Sequence, residues 1–242
     1  MAFFCRDAKK AIEKIQKKGA MPFLVGGTGL YLRALLDGIF EDVPGSGDSG
    51  KDEKFRSKLL TAQEKHGGNY LYEKLKTVDV LSATKIHPND FRRLIRALEV
   101  FHSTGKAFSE QKLRRQGIRD NFHCRIFLLD RDREDLYARI ERRVDRMVQK
   151  GILGEVKKLA KKKPGLTAPL ALGFREMKGV LEGHHSLEEA TQLLKKNTRH
   201  YAKRQLSWFR HERAVEKMYV PTHETPKQTA TKIVNQFLES KL

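Results

Sequence analysis

Cysteine is scarce in this chain. Only Cys5 and Cys124 occur in 242 residues, far apart, which excludes a disulfide scaffold and a CxxC-type zinc site. Such usage fits a reducing compartment, and a cytoplasmic protein is the expectation. No run approaches about 18 consecutive apolar residues, so a membrane-spanning helix is excluded. The start, MAFFCRDAKK, lacks the apolar core and small-residue cleavage pattern of a signal peptide. Closely spaced metal ligands are missing as well: there is no HExxH, and His184-His185 stands just before a helix cap. There is no GxSxG elbow, and neither cysteine has an activating basic neighbourhood, so a zinc or nucleophile mechanism is not expected. Acid is the last shortage. Asp and Glu number 30 against 49 Lys and Arg, a net charge of +19 that points to a polyanionic partner, nucleic acid first.

What is present reads as an α/β chain of one large or two small domains, with ample length for a core. Ala8, Ala11, Ile12 and Ile15 share a helical face before Gly19. Met21 to Val25 is an apolar run of strand length. It leads through Gly26-Gly27-Thr28-Gly29 into a helical pattern over 30–36 that Gly38 stops: strand, glycine turn, helix. Residues 41–50, with Pro44 and GSGDSG, read as a linker or exposed loop. Helices without a convincing strand follow to about Lys112. In the clearest, Pro88 lies near the first helical position, with Phe91, Leu94, Ile95, Leu98 and Phe101 inward. A second strand is predicted at 125–129, then a helix capped by Asp130 or Asp132 with Leu136, Ile140, Val144 and Met147 or Val148 inward. Ser186 and Glu189 form a capping box for a helix running to about Phe209, and a last helix covers roughly 227–238. The expected domains are a core of 1–40 with 116–242 and a helical insertion of 41–115. Two strands are too few for an independent sheet, so strands have been missed or part of the sheet lies outside this sequence.

Three groups of residues can carry chemistry. The GGTG turn lets a ligand approach the backbone, and the N–H groups of the following helix can hold an anion. Thr28 adds a hydroxyl at the carboxyl edge of a strand. A plain tight turn is the alternative. The helix of 186–213 carries Lys195, Lys196, Arg199, Lys203, Arg204, Arg210 and Arg213 against Glu212. Tyr201, Trp208 and Phe209 interleave, which suits phosphates and unpaired bases. Trp208 is expected to serve mainly the core. Arg92, Arg93 and Arg96 form a candidate second grip on the insertion. Arg139, Arg142, Arg143, Arg146 and Lys161-Lys162-Lys163 read as ordinary surface, since Glu141 and Asp145 form helical ion pairs among them.

The segments PFLVGGTGLYLRALLDG (22–38), KIHPNDFRRLIRALEVFHSTGK (85–106), ALGFREM (171–177) and HYAKRQLSWFR (200–210) occur in an order and spacing that closely resemble the bacterial tRNA dimethylallyltransferase (tRNA isopentenyltransferase) family. The resemblance covers nearly the whole chain. It implies a P-loop NTPase-like core, here an N-terminally incomplete parallel sheet flanked by helices, with an all-helical insertion domain. The implied reaction moves a dimethylallyl group from dimethylallyl diphosphate to N6 of the adenosine 3′ of the anticodon, with Mg²⁺ on the leaving group and the base flipped into a channel. The implied partner is the tRNA anticodon stem-loop, bound by a monomer. Thr28 matches the threonine placed near the target nucleotide, with Gly26, Gly27 and Gly29 forming the turn around it. Arg56 matches an arginine that touches tRNA. Arg92, Arg93, Leu94, Ile95 and Arg96 match a tRNA-contacting stretch in the insertion. Two further contact segments are implied: Leu170, Ala171, Leu172, Gly173, Phe174 and Arg175, then Lys203, Arg204, Gln205, Leu206, Ser207, Trp208, Phe209 and Arg210. Phe174 stands where tyrosine is usual and Ser207 where threonine is common.

One departure is large. The family's GPTASGKT-type phosphate loop, and its Asp-Ser motif with the aspartate taken as base, do not occur in these 242 residues. The expectation is therefore a chain that resembles the C-terminal part of the enzyme, binding tRNA weakly and transferring nothing alone. The rival readings are a non-catalytic tRNA-binding remnant and, less favoured, a P-loop phosphotransferase, which would leave the long basic helix without a purpose.

Overall fold

The computed structural model describes residues 2–38, 52–113, 117–162, 165, 168–212 and 214–239. The linker read at 41–50 lies outside them, as do Lys163 and Arg213. Backbone contacts divide the chain into two units, Met1–Cys124 and Arg125–Leu242. No helix among the described residues is long and apolar enough to cross a membrane.

The first unit is helical. Helix α1, Ala2–Gln16, buries Cys5 and Ile12. Helix α2, Gly29–Asp37, buries Ala34, Leu35 and Leu36. Phe4 stacks on Tyr31 between them at 4.8 Å. The expected strand at Met21–Val25 is absent. The segment is irregular, and Phe23 and Val25 are 71% and 85% exposed. A strand is made by a hydrogen-bonded neighbour, and among the described residues nothing pairs with this run.

Helices α3 (Glu53–His66), α4 (Tyr70–Val78), α5 (Val80–Ala83), α6 (Phe91–Thr104) and α7 (Phe108–Leu113) form the rest of the unit. Leu59, Leu71, Leu75, Ala83, Leu94, Ile95, Ala97 and Leu98 make a core of their own, all contributed from within the expected insertion. Aspartates start three of these helices. Asp52 accepts from Phe55 N–H at 2.9 Å, Asp79 from Ser82 N–H at 2.9 Å and Asp90 from Arg93 N–H at 3.2 Å. The Asp90 cap sets the start of α6 at Phe91, so Pro88 lies in the preceding turn rather than in the first helical turn. Phe91, expected inward, is exposed at that end. Downstream of α7 the chain returns to α2. Ile118 and Arg119 donate N–H to the carbonyls of Leu35 and Leu36, each at 3.1 Å, and the Arg119 side chain reaches Asp37 at 2.9 Å. These bonds satisfy carbonyls at the end of α2 that have no helical partner. The approach needs glycine before it: a Cβ on Gly117 would lie 1.8 Å from the Leu36 oxygen.

At the centre of the first unit is a buried carboxylate. Glu99 on α6 is 1% exposed. It accepts both arms of Arg56 from α3 at 2.7 Å, Nη1 of Arg96 at 2.7 Å and the N–H of Asp52 at 3.1 Å. A buried carboxylate is tolerated only with such partners. Phe55 and His102 stack at 4.0 Å as a second tie between the same two helices.

The second unit has the two strands found among the described residues, β1 (Ile126–Asp130) and β2 (Val215–Tyr219), paired in parallel with Ile126 opposite Val215. The first was expected from its apolar run; the second was not. Between them run α8 (Arg133–Gln149), α9 (Ile152–Lys161), α10 (Phe174–Leu181) and α11 (Leu187–Arg210), and α12 (Pro226–Glu239) follows. Val144, Ile152, Val156, Phe174, Met177, Ala190 and Leu194 form their core. The capping box of α11 forms as expected, with Ser186 accepting from Glu189 N–H at 3.1 Å and Glu189 accepting from Ser186 N–H at 2.8 Å. Asp132 stands at the N-cap of α8 but caps nothing; its carboxylate accepts the Tyr219 hydroxyl from β2. Arg125 joins Glu216 of β2, at 2.7 Å from Nε, and also reaches the Gln236 carbonyl of α12.

Two stability predictions follow from this packing. Burial pushes the Glu99 carboxyl up, but hydrogen bonds and charge from Arg56 and Arg96 outweigh it and hold the group at about 2, against an ordinary 4.5. A depressed carboxyl contributes stability that is complete above its unfolded value and is lost as pH falls toward its folded one. Urea unfolding is expected to show on the order of 3 kcal/mol lost between pH 4.5 and 2 from this group, and Glu99→Gln is expected to flatten that dependence. Second, Phe209 is buried while Trp208 is only half-buried against its edge, so the core role expected of Trp208 belongs to its neighbour. Phe209→Ala is expected to cost about 3–5 kcal/mol in the same assay, and Trp208→Ala clearly less.

Candidate nucleic-acid interface

In the first unit, the glycine turn ends at Thr28, the N-cap of α2. Its carbonyl accepts from Tyr31 and Leu32 N–H at 3.0 and 3.2 Å, while its side chain caps nothing and is exposed. Thr28 is thus exposed beside Leu30 and Tyr31 of the first turn of α2, while Gly29 between them is buried. Gly26 has an ordinary backbone conformation, and a Cβ there would meet nothing within 4 Å. The turn's own packing does not require glycine at that position.

The arginines of the insertion divide into two kinds. Arg92 and Arg93 are exposed, Arg93 resting on Asp90 at 3.3 Å. Arg56 and Arg96 are mostly covered, and each is bound to Glu99. Leu94 and Ile95 belong to the core at 0% and 6% exposure, which leaves those two members of the expected contact stretch no side chain to offer a ligand.

In the second unit, the segment 170–175 is a turn fixed from below. A 3-10 turn at Ala168–Leu170 leads to Gly173, whose φ of +92° favours glycine and whose added Cβ would lie 2.9 Å from Ile152 Cδ1. Glu176, 2% exposed, accepts the Gly173 N–H at 2.9 Å and the Asn197 amide of α11 at 2.7 Å. Gly173 and Phe174 are therefore buried parts of the support. Leu170, at 79%, Ala171, Leu172 and Arg175 project from it. No pattern in the sequence marked Glu99 or Glu176.

Along α11 the cations also separate. Lys195 is tied to Asp145 at 2.6 Å and Arg199 to Glu141 at 2.7 Å, both acids on α8, and Arg199 also covers the Tyr137 ring. Lys196, Lys203, Arg204 and Arg210 are exposed, and among the described residues none of them holds an ion pair; Arg204 lies over the ring of Tyr201. Tyr201 and Ser207 are exposed beside them, Gln205, Leu206 and Trp208 are half-buried, and Phe209 is buried. An aromatic ring among exposed cations is the composition that binds single-stranded RNA. No three of His, Cys, Asp and Glu come together as a metal-binding group among the described residues.

A family model described as IPP transferase matches residues 1–212. The chain is 42% identical over 238 residues to a tRNA dimethylallyltransferase of Desulforamulus reducens, covering 98% of this chain and 82% of that one. A tRNA dimethylallyltransferase of Halothermothrix orenii is 44% identical over 207 residues, 84% of this chain and 61% of that one. Among solved structures, the full-length tRNA isopentenylpyrophosphate transferase of Bacillus halodurans is 35% identical with a TM-score of 0.61, covering 98% of this chain and 72% of that one. A eukaryotic dimethylallyltransferase acting on tRNA is 28% identical with a TM-score of 0.72, covering 98% and 61%. The fold class is that of these transferases, an α/β, P-loop-like core with helical additions. With sequence and fold in agreement over almost the whole chain, the protein belongs to the IPP transferase family, the tRNA dimethylallyltransferases.

Proposed function

We propose that this chain grips the anticodon stem-loop of a tRNA and presents the adenosine 3′ of the anticodon for dimethylallylation at N6. The observation that carries this reading is the row of exposed cations on α11, Lys196, Lys203, Arg204 and Arg210, left over after Lys195 and Arg199 have been neutralised by α8. Phosphate contacts from this row fix the register of the RNA, and the Leu170–Arg175 turn adds an apolar tip and a cation beside it. Arg92 and Arg93 supply further contacts from the insertion. That 41–115 is inserted into a core of 1–40 and 116–242 is supported by the self-contained core of α3–α6 and by the bonds of Ile118 and Arg119 to the end of α2.

In the reaction, the flipped adenosine offers its N6 lone pair to the allylic carbon of dimethylallyl diphosphate. The C–N bond forms as the C–O bond to diphosphate breaks, and N6 then gives up a proton. Thr28, exposed at the start of α2, is the residue placed to orient the adenosine. Mg²⁺ would neutralise the diphosphate in this chemistry, but the described residues offer no group of ligands to hold it, and no step is assigned to it here. The 242 residues contain no GxxxxGK[ST] loop, so the share of the reaction we assign to them is RNA binding and placement.

Binding is tested with a fluorescent anticodon stem-loop. Arg210→Ala and Lys203→Ala are each expected to weaken it and to lower the log–log salt slope by about 0.7–0.9, with stability changed by less than about 0.5 kcal/mol. Unfolding of either variant would show the assignment at that position to be wrong. Lys195→Ala serves as the contrast: with its cation already held by Asp145, the slope is expected to stay unchanged. Incubated with dimethylallyl diphosphate and an unmodified stem-loop, the purified chain is expected to yield no dimethylallyladenosine by mass spectrometry. A modified product would overturn the division of labour proposed here.

A further inference from the structure

The cluster of Arg56, Arg96 and Glu99 does more than join two helices. Its carboxylate is buried, while the Arg56 and Arg96 side chains are 22% and 25% exposed. Two cations, from two different helices, share this one anion. Arg56 donates through Nε and Nη2 to the two oxygens of Glu99 in a parallel fork, which fixes the plane of its guanidinium. A guanidinium carries five N–H donors, and this fork uses Nε and Nη2 of Arg56, with no further hydrogen bond from Nη1 found among the described residues. A surface arginine ordinarily samples many rotamers and loses that freedom when it binds phosphate. Here the loss is already incurred in the folded protein.

We propose that Glu99 is a positioning residue for RNA: it holds Arg56 and Arg96, from two different helices, as one preformed grip on the phosphate backbone. The inference rests on the tRNA-binding reading above and deepens it. Glu99 touches no nucleotide in this scheme and acts only through the two arginines.

The decisive feature of the test is its sign. Glu99→Gln removes a negative charge, so if the cluster were merely a structural tie beneath a basic surface, the variant would bind RNA as tightly as the parent chain or more tightly. If Glu99 orients the arginines, the same variant binds more weakly despite its extra positive charge. At pH 7, with the folded fraction checked by circular dichroism, Glu99→Gln is expected to lose about tenfold in affinity for the anticodon stem-loop, and its salt slope is expected to fall by about 1. Equal or tighter binding with an unchanged slope overturns the proposal. Should Glu99→Gln fail to fold, Arg56→Lys decides, since it keeps the charge and loses the fork: a several-fold loss supports the grip and unchanged affinity overturns it. A parent chain that does not bind the stem-loop at all would instead sink the tRNA-binding reading, and the grip with it.

Discussion

Removing a carboxylate from water is costly, and the cost is met only by hydrogen-bond donors and opposite charge placed around it. Among the described residues Glu99 and Glu176 are the most deeply buried carboxylates, at 1% and 2% exposure. In a chain with a net charge of +19, acids are the scarce component, so the location of each one decides which cations are committed inside and which remain outside. Glu99 engages Arg56 and Arg96, while Asp145 and Glu141 engage Lys195 and Arg199. Arg92, Lys196, Lys203, Arg204 and Arg210 are among the cations that stay exposed and hold no ion pair with another described residue. Glu176 holds the Gly173 N–H and the Asn197 side-chain amide of α11, with Arg175 at 3.6 Å, and so ties the turn that projects Leu170 to α11.

Helices were legible because their evidence is local. Periodicity and caps placed α1, α2, α6, α8, α11 and α12 close to their observed limits, and the Ser186–Glu189 box formed as its spacing demanded. Strands were less legible because theirs is not. Met21–Val25 has the apolar content of a buried strand and lacks a partner among the described residues; VEKMY at 215–219 has no run or alternation to announce it and becomes β2 because Ile126–Asp130 lies beside it. Edge order in a sheet is conferred by the neighbour, and no window of sequence contains the neighbour.

The site divides along the same line. Residue types and motif order singled out segments, but not which side chains within them face outward. Leu94, Ile95, Phe174 and Phe209 sit in segments matched to RNA contact and are core residues. A segment that contacts a ligand must also be held in place, and on a helix those two duties alternate with the turn. The supporting acids were the least visible part, because a glutamate among many charged residues carries no sign of burial until the fold closes over it.

The two parts of the proposed activity therefore stand on different footings. The α11 cations and the 170–175 turn are supported by a hydrophobic core beneath them and by Glu176. Thr28 is anchored on one side only. Helix α2 holds its carbonyl, while the run leading into it, Phe23 to Val25, is exposed apolar chain without a strand partner. Apolar backbone of that kind gains order when another strand pairs with it and covers its side chains. Among the described residues Thr28 is thus held from the α2 side, whereas the α11 cations stand on a helix packed into the core of the second unit.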